Sequence, residues 1–412
     1  MMIRKSPRVP LSELQKLLPP SQLDRMAVDY RLASRDSIKL SGPLVFMTLL
    51  HGLLYDSKVS LRSMADKFEE ITGVYLDHST LGKRLRRIPF EYFSDVFALL
   101  YKKVDGKINT RSPGVMSVRF VDATIVTLTA KWVCFGLHVK TCSPNKAKTH
   151  VKAVFELHNQ MPSLLRLCKD ASENNDSVAL GKTIADHCNP GELWVFDKGC
   201  HGRDRLKTIH EKEAFFLTPH SSQNFAVSRV IWTADPNTLP VQPPGPQDPN
   251  YVVVRVEECL FENADRYANK KYANMPLAVV HGLRYDQRAK RWQPIVLMTN
   301  LAFSEDGERI GPYSYAELAR VYRDRWQIET FFKKIKGNLS YDHLLSRNEN
   351  GITIMIYMCL IAALLMIWVK DLTDNANGWR SIKYWLEVSC RDWIDTLIAG
   401  QYHLRDRLGT VT

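Results

Sequence analysis

One segment of the chain combines a single glutamate with several cations at helical spacing. It covers residues 322–336 and reads YRDRWQIETFFKKIK. At about 100° per residue of an α-helix, its phenol, its glutamate and three of its cations share one face, most of them within an arc of roughly 60°. These residues are Tyr322, Arg325, Glu329, Lys333 and Lys336. A lone acid among bases suits a site that holds a metal ion and binds phosphates.

The opposite side of the same helix is apolar and carries Ile328, Phe331 and Ile335. These residues predict that the helix packs on a core, which would hold the polar face in place. A solvated helix face, on which Arg325 and Glu329 pair across one turn, would show the same periodicity. Helical spacing alone does not decide between the two interpretations.

Two further carboxylates each follow an apolar strand pattern. Alternation from residue 115 predicts a strand that ends at Asp122, and the run 191–196 predicts a buried strand that ends at Asp197. Strand ends lie at the edge where open α/β sheets bind ligands. Together with Glu329, these acids suit two Mg²⁺ ions about 4 Å apart, an arrangement that promotes phosphoryl transfer. Taken alone, each aspartate is better explained as a turn former or helix cap.

The region before these strands, residues 1–110, is predicted to be helical and is strongly basic. Apolar spacing predicts helices at 11–18 and 43–54. A further helix starts at Ser60 or Ser63 and stops at Gly73, and a basic helix follows at 79–88.

Helix, turn and basic second helix form the layout of a helix-turn-helix DNA reader. Three apolar residues would then face inward, and four cations would face DNA. The apolar residues are Leu81, Leu85 and Ile88, and the cations are Lys83, Arg84, Arg86 and Arg87. A surface helix of a bundle with a solvated basic face would look the same.

The rest of the chain divides into four further regions. Residues 111–218 alternate short strands and helices, and residues 219–298 form a β-rich insertion with a proline-rich stretch at 240–249. Residues 299–370 contain the 322–336 helix, opened by a capping box of Ser314 and Glu317. Residues 371–412 predict one amphipathic helix at 382–398. We therefore predict an α/β fold with a preceding helical region.

One run needs a decision about membranes. Residues 352–369 are 18 residues without a charge, which is a minimal length for a transmembrane helix. A helix buried on all sides in a large core would look the same. We favour the buried helix and expect no association with a membrane.

The overall charge points to a polyanionic partner. Of 412 residues, 56 are Lys or Arg and 44 are Asp or Glu, which gives a net charge of +12. Such an excess favours nucleic acid first and an anionic membrane second. The eight cysteines never form a Cys-x-x-Cys pair, which argues against a zinc ribbon and favours a reducing cytoplasm.

The spacing Tyr-x2-Arg-x3-Glu-x6-Lys in residues 322–336 resembles the signature of the DDE transposases of bacterial insertion sequences, in the subgroup named for these four residues. FVDAT at 120–124 and FDKG at 196–199 are similar to the family's first and second Asp motifs. The resemblance covers roughly residues 115–370. It implies a ribonuclease-H-like catalytic core interrupted by a β-rich insertion. It also implies that Asp122, Asp197 and Glu329 are the catalytic residues and the metal ligands.

The same resemblance implies the partners and the reaction. Tyr322, Arg325, Lys333 and Lys336 would hold the phosphates of a DNA end, and Trp292 of the insertion would lie near a displaced base. Mg²⁺ is the expected cofactor, with Mn²⁺ as a substitute and two ions per site. The expected partner is double-stranded DNA, as terminal inverted repeats and as target, bound by a homodimer in the bacterial cytoplasm at the nucleoid. The expected activity is cleavage and strand transfer at the ends of the element.

Two alternatives remain open at this point. The chain could be a catalytically silent DNA-binding derivative of a transposase that acts as a regulator or inhibitor. It could also be a stand-alone metal-dependent nuclease, which would share the site but would not join strands.

Overall fold

Two groups of helices and one large mixed sheet make up the fold. A computed structural model describes residues 11–32, 41–55, 60–108, 116–127, 137–139, 148–169, 171–198, 203–219, 225–244, 250–261, 275–339, 348–373 and 378–408. Gly199, the last residue of the second Asp motif, and the next residue, Cys200, lie outside these ranges.

The amino-terminal region is helical, as its spacing predicts. Its helices are α1 Leu11–Leu17, α2 Pro20–Asp29, α3 Gly42–Tyr55, α4 Leu61–Thr72, α5 His78–Arg87 and α6 Phe90–Ile108. Two carboxyl-terminal helices, α11 Glu349–Leu372 and α12 Trp379–Leu408, pack against them. The last helix covers α3, where His51 Nε2 lies 2.8 Å from Glu387 Oε1. The two ends of the chain therefore share one helical bundle.

The apolar run at 352–369 lies inside α11, which is long and apolar enough to cross a membrane by composition. Of its most apolar 18-residue window, 94% is buried within the protein. It packs on α6, α12 and α3 of the bundle and on strand β4 (Met161–Leu167) of the sheet. This burial supports the interpretation of a core helix.

The sheet begins with three antiparallel strands followed by two parallel ones. They are β1 Ser117–Thr127, β3 Lys148–His158, β4 Met161–Leu167, β5 Glu192–Val195 and β6 Phe215–Pro219, with the short β2 Leu137–Val139 beside β3. β1 pairs with β3, and β3 with β4, in antiparallel directions. On its other side β1 is parallel to β5, and β5 to β6. The resulting order β4-β3-β1-β5-β6 is the one expected of a ribonuclease-H-like sheet.

Local sequence explains the tight connection between β3 and β4. Asn159 and Gln160 have positive φ angles of 52° and 64°, which is typical of a two-residue hairpin turn.

Helices α7 Asp176–His187 and α8 Arg203–Glu211 pack on one face of the sheet, against a cluster that contains Val121, Trp194 and Phe216.

The β-rich insertion continues the same sheet rather than starting a new one. Its strands are β7 Phe225–Thr233, β8 Tyr251–Phe261, β9 Leu277–Asp286 and β10 Arg291–Thr299. β10 pairs with β6 in antiparallel direction, and β9, β8 and β7 follow in order. The sheet thus has ten strands among the described residues. After the short strands β11 Arg309–Ile310 and β12 Tyr313–Ser314, helices α9 Tyr315–Asp324 and α10 Trp326–Asn338 pack on its other face.

Candidate active site

Strand register places Asp122 and Asp197 side by side. β1 continues to Thr127, so Asp122 lies within a strand paired with Phe155 of β3, and the prediction that the strand ends there was wrong. On the β5 side, however, the parallel pairing stops at Phe120 and Val195. Asp122 and Asp197 each lie two residues beyond that pair. Because side chains alternate along a strand, both acids point to the face that α10 covers.

The segment that carries the third acid is two helices rather than the one predicted. The capping box of Ser314 and Glu317 opens α9 as predicted, but α9 ends at Asp324 and α10 begins at Trp326. Arg325 lies between them with φ −52° and ψ −30°.

Hydrogen bonds of the tighter, three-residue kind flank this break. The Arg325 N–H donates to Tyr322 O, and the Ile328 N–H donates to Arg325 O, each at 3.1 Å. A short 3₁₀ stretch within a helix often marks a functional hinge or a strained sequence. The apolar side of α10 is buried as predicted, at Ile328, Phe331 and Ile335.

The Arg325 guanidinium is the point on which the three carboxylates converge. Its Nη2 donates to Glu329 Oε1 at 3.0 Å, and its Nη1 lies 3.8 Å from Asp122 Oδ2. Asp197 and Tyr322 are close enough to interact with it electrostatically. The Arg325 side chain is only 8% exposed. A guanidinium buried this deeply needs anionic neighbours to offset the loss of water.

Burial and like charge both act on Asp122. Burial raises the pKa of Asp122 to about 6, and the nearby Glu329 and Asp197 carboxylates add to this. The Ala123 N–H, which donates to Asp122 Oδ1 at 2.8 Å, and the Arg325 cation oppose the rise. Burial lowers the pKa of Arg325, but Tyr322 and the three carboxylates outweigh it and raise that pKa overall. The three carboxylates around Arg325 therefore carry more negative charge than this guanidinium alone balances.

The donor set fits a hard divalent cation, although its geometry is open. No three His, Cys, Asp or Glu side chains within the described ranges lie together closely enough to hold a metal ion. Three carboxylates nevertheless supply the oxygen ligands that Mg²⁺ prefers. Arg325 Nε is buried and has no hydrogen-bond partner in the described part of the chain, so it has donor capacity for an anionic oxygen.

Comparison with known proteins identifies the family. Residues 113–365, more than half of the chain, match the family described as transposase DDE domain. The chain belongs to this family of DDE transposases.

Several relatives that match this chain over most of their length are named as transposases. The putative transposase for insertion sequence element IS4SA of Synechocystis is 23% identical over 335 residues, covering 81% of this chain and 83% of the relative. The transposase for insertion sequence element IS231C of Bacillus thuringiensis is 21% identical over 387 residues, covering 85% and 77%. The piggyBac transposase synaptic complex with hairpin DNA, solved by cryo-EM, has a TM-score of 0.48 and 10% identity over 97% of this chain and 84% of that one.

The predicted phosphate-binding residues of the transposase lie at two depths. Tyr322 and Arg325 are buried, at 8% and 7% exposure, and the Arg325 guanidinium lies 5.9 Å from the centre of the Tyr322 ring. Lys333 and Lys336 are exposed on α10. The first pair is therefore fixed beside the carboxylates, while the two lysines can reach a ligand that approaches from solvent.

Trp292 of the transposase lies in β10, away from the carboxylates in sequence and in its contacts. Its indole N–H donates to Gln242 O at 2.8 Å, and its ring meets Tyr285 edge to face with centroids 5.4 Å apart. These contacts neither join it to the carboxylate cluster nor test its role near a base, which stays a prediction.

The two helices of the predicted helix-turn-helix are present as α4 and α5, and their role in DNA binding stays a prediction. Ser60 and Ser63 form a reciprocal capping box, and Gly73 ends α4 with a φ of 65°. Leu81, Leu85 and Ile88 are buried. Three of the four cations of α5, Lys83, Arg86 and Arg87, are exposed.

Arg84, the fourth cation of α5, differs from the other three. It is half-buried, and its Nη2 donates to Leu32 O at 3.1 Å. It therefore connects α5 to the residues that follow α2, and its three exposed neighbours lie on the outer surface.

Sequence reasoning missed one cation of the site. Arg284 of β9 lies close enough to Tyr322 to lower the pKa of that phenol, against the raising effect of burial. Nothing in the sequence around Arg284 distinguishes it from other arginines, because its position depends on how four strands of the insertion pair.

Proposed function

We propose that Asp122, Asp197 and Glu329 are the metal ligands and catalytic residues of this transposase. The observation that supports this most directly is the convergence of the three carboxylates on Arg325, since they come from β1, from the residues after β5 and from α10. DDE transposases generally depend on a divalent metal. Two Mg²⁺ ions, or Mn²⁺ in their place, would activate the attacking oxygen and stabilise the leaving oxygen.

The chain's own residues position the DNA end. Tyr322 and Arg325 hold the phosphate nearest the carboxylates, and Arg325 Nε supplies a donor that the described protein groups leave unused. Lys333 and Lys336 bind phosphates farther along the strand. Such a division of roles would agree with membership of the Tyr-Arg-Glu-Lys subgroup.

The reaction is cleavage followed by strand transfer. A water oxygen bonds to phosphorus at the end of the element, and the departing oxygen takes up a proton to become a 3′-hydroxyl. That hydroxyl then attacks a phosphorus of target DNA, and a target 3′ oxygen leaves. The number of phosphodiester bonds is unchanged in the second step, so it needs no energy source.

The substrate follows from the relatives, which are named for insertion sequence elements. We propose that the transposase binds the terminal inverted repeats of its own element, with Lys83, Arg86 and Arg87 of α5 on the DNA. A homodimer pairs the two ends, and the protein acts in the bacterial cytoplasm at the nucleoid. The net charge of +12 favours such a partner.

Glu329→Gln tests the assignment of the triad. We expect it to abolish nicking and strand joining in Mg²⁺ and in Mn²⁺, while it binds a terminal-repeat duplex within about twofold of the wild type, because the phosphate contacts remain. Glu305→Gln, an exposed glutamate before α9, is the matched control and should cut normally. Cleavage that persists in Glu329→Gln would contradict the proposal.

The same assay separates the alternatives. A wild-type protein that binds the duplex but never nicks it would be a silent regulator, and one that nicks without joining strands would be a nuclease. Either outcome would replace the proposed reaction.

A further inference from the structure

We propose that Arg284, on strand β9 of the insertion, binds a phosphate of the DNA end beside Tyr322. This inference rests on the proposed function, because it assumes that the DNA end lies at the carboxylates.

The alternation of β9 decides the direction of the Arg284 side chain. Ala278 and Val280 belong to the same core cluster as Phe155 and Ile328, whereas Val279 belongs to the cluster on the other face of the sheet. Even-numbered positions of β9 therefore face α9 and α10. Arg284 continues this series, and it emerges on the same face as Asp122, whose partner in β3 is Phe155.

The strand register shows how far Arg284 lies beyond the end of β6. Leu297 of β10 pairs with Pro219 at the end of β6 and with Val280 of β9. Arg284 is four residues farther along β9, which corresponds to about 13 Å at the usual rise of a strand. Arg284 therefore lies beyond the edge of the sheet at which Asp197 follows β5.

Hydrogen bonds connect this end of β9 to helix α9, which carries Tyr322. Helix α9 packs on β8, and Arg323 Nη1 donates to Asn250 Oδ1 at 3.4 Å. Asn250 O in turn accepts the N–H of Tyr285 at 2.9 Å. Tyr322 and Arg284 are the direct neighbours of Arg323 and Tyr285 in sequence, and they interact electrostatically across this junction.

Arg284 has the means to bind an anion. Its side chain is half-buried, and within the described ranges it forms no salt bridge. Asp286, an acid that interacts with it, is half-buried and accepts the N–H groups of Arg288 and Ala289. A guanidinium offers a planar pair of donors that matches two phosphate oxygens. Arg284, Tyr322 and Arg325 would thus line one path for the DNA strand.

Salt-dependent binding tests the inference. The probe is a fluorescent duplex that carries the terminal repeat, titrated with full-length protein over a range of salt concentrations. We expect Arg284→Ala to weaken binding about tenfold near 0.1 M salt and to make the log–log salt slope shallower by about one, since one phosphate contact is lost. Arg284→Lys should recover most of the slope, because it keeps the charge.

Arg229→Ala is the matched control. Arg229 is an exposed arginine of the outer strand β7, 3.5 Å from Glu258, which pairs with Ala278 at the other end of β9. Its removal changes the net charge equally and should leave the slope unchanged. Arg284→Ala could also weaken binding through a loss of folding, which a lower melting temperature would show. In that case the salt slope of Arg284→Lys decides between the two causes, because restoring the charge alone does not restore lost folding.

The outcomes separate this inference from the proposed function. An unchanged salt slope in Arg284→Ala, together with a loss of cleavage in Glu329→Gln, would overturn the inference and leave the triad intact. Cleavage in Glu329→Gln would overturn the triad, whatever the slope of the arginine variant.

Discussion

Asp122→Asn should stabilise the metal-free transposase while it abolishes cleavage. The charged form of Asp122 is disfavoured in the folded protein, because burial and the neighbouring Glu329 and Asp197 carboxylates raise its pKa to about 6. Asparagine has nearly the same shape and keeps an oxygen that can accept the Ala123 N–H. It removes the charge that the folded site tolerates poorly.

The size of the effect follows from the two pKa values. A rise from 3.8 in the unfolded chain to about 6 in the fold corresponds to roughly 3 kcal/mol in the free energy of unfolding. Because the Asp122 side chain is 25% exposed, we expect solvent to reduce this to about 1–2 kcal/mol. The attraction of Arg325, 3.8 Å away, already contributes to this pKa and needs no separate allowance.

The sign of the pH dependence is fixed by the direction of the shift. Below the unfolded pKa, wild type and variant both carry a neutral side chain at position 122, so their stabilities should be equal. Above it, the unfolded wild-type chain loses its proton first, and the folded protein is progressively disfavoured until the pH passes the folded pKa. The advantage of Asp122→Asn should therefore appear between about pH 4 and pH 6 and stay constant above that range.

Urea unfolding without divalent metal, at several pH values, measures this difference. Asp66→Asn, at an exposed aspartate of α4, is the control and should show no such step. Adding Mg²⁺ should stabilise the wild type but not Asp122→Asn, because a ligand that binds only the folded state raises stability by mass action. If Asp122→Asn were less stable than the wild type at pH 7, the account of the site as over-charged would be wrong.

Three further substitutions test the scaffold by urea unfolding. Arg119→Ala should lower the free energy of unfolding by about 3–5 kcal/mol, because it leaves the carboxylates of Glu156 and Glu192 without their cation. These carboxylates lie 2.5 and 2.6 Å from the Arg119 guanidinium and are 4% and 9% exposed. Gly282→Ala should cost about 1–3 kcal/mol, since its Cβ would lie 2.9 Å from the Val252 carbonyl oxygen. Ser60→Ala should cost about 1 kcal/mol through loss of the capping box. Losses below about 0.5 kcal/mol would contradict each explanation.

Features set by a few neighbouring residues could be predicted from the sequence. Ser60 and Gly73 bound α4 because a side-chain oxygen and a residue without Cβ satisfy the ends of a helix locally. The buried positions of α5 and α10 follow from the helical period in the same way. The burial of the apolar run in α11 was predicted as well, because a helix that is apolar on all sides fits inside a core.

Features set by pairing between distant segments could not be predicted. The alternating pattern around Asp122 continues to Thr127, and only the end of the β5 partner exposes that acid. The bounds of β7 do not follow from its pattern, because most of its residues are exposed and it lacks a clear alternation of buried positions. Likewise, the cover that α12 provides for α3 depends on a contact between the two ends of the chain.

The position of Arg325 explains why the helix breaks where it does. Helical spacing alone leaves open whether Arg325 lies on a solvated face, and in the structure the residue is 7% exposed. Burying a guanidinium costs several kcal/mol unless anions surround it. The tightened turn at Arg325 brings its side chain to Glu329, Asp122 and Asp197 at once. Three carboxylates thus surround one guanidinium, and a divalent cation with oxygen ligands can balance the negative charge that Arg325 leaves.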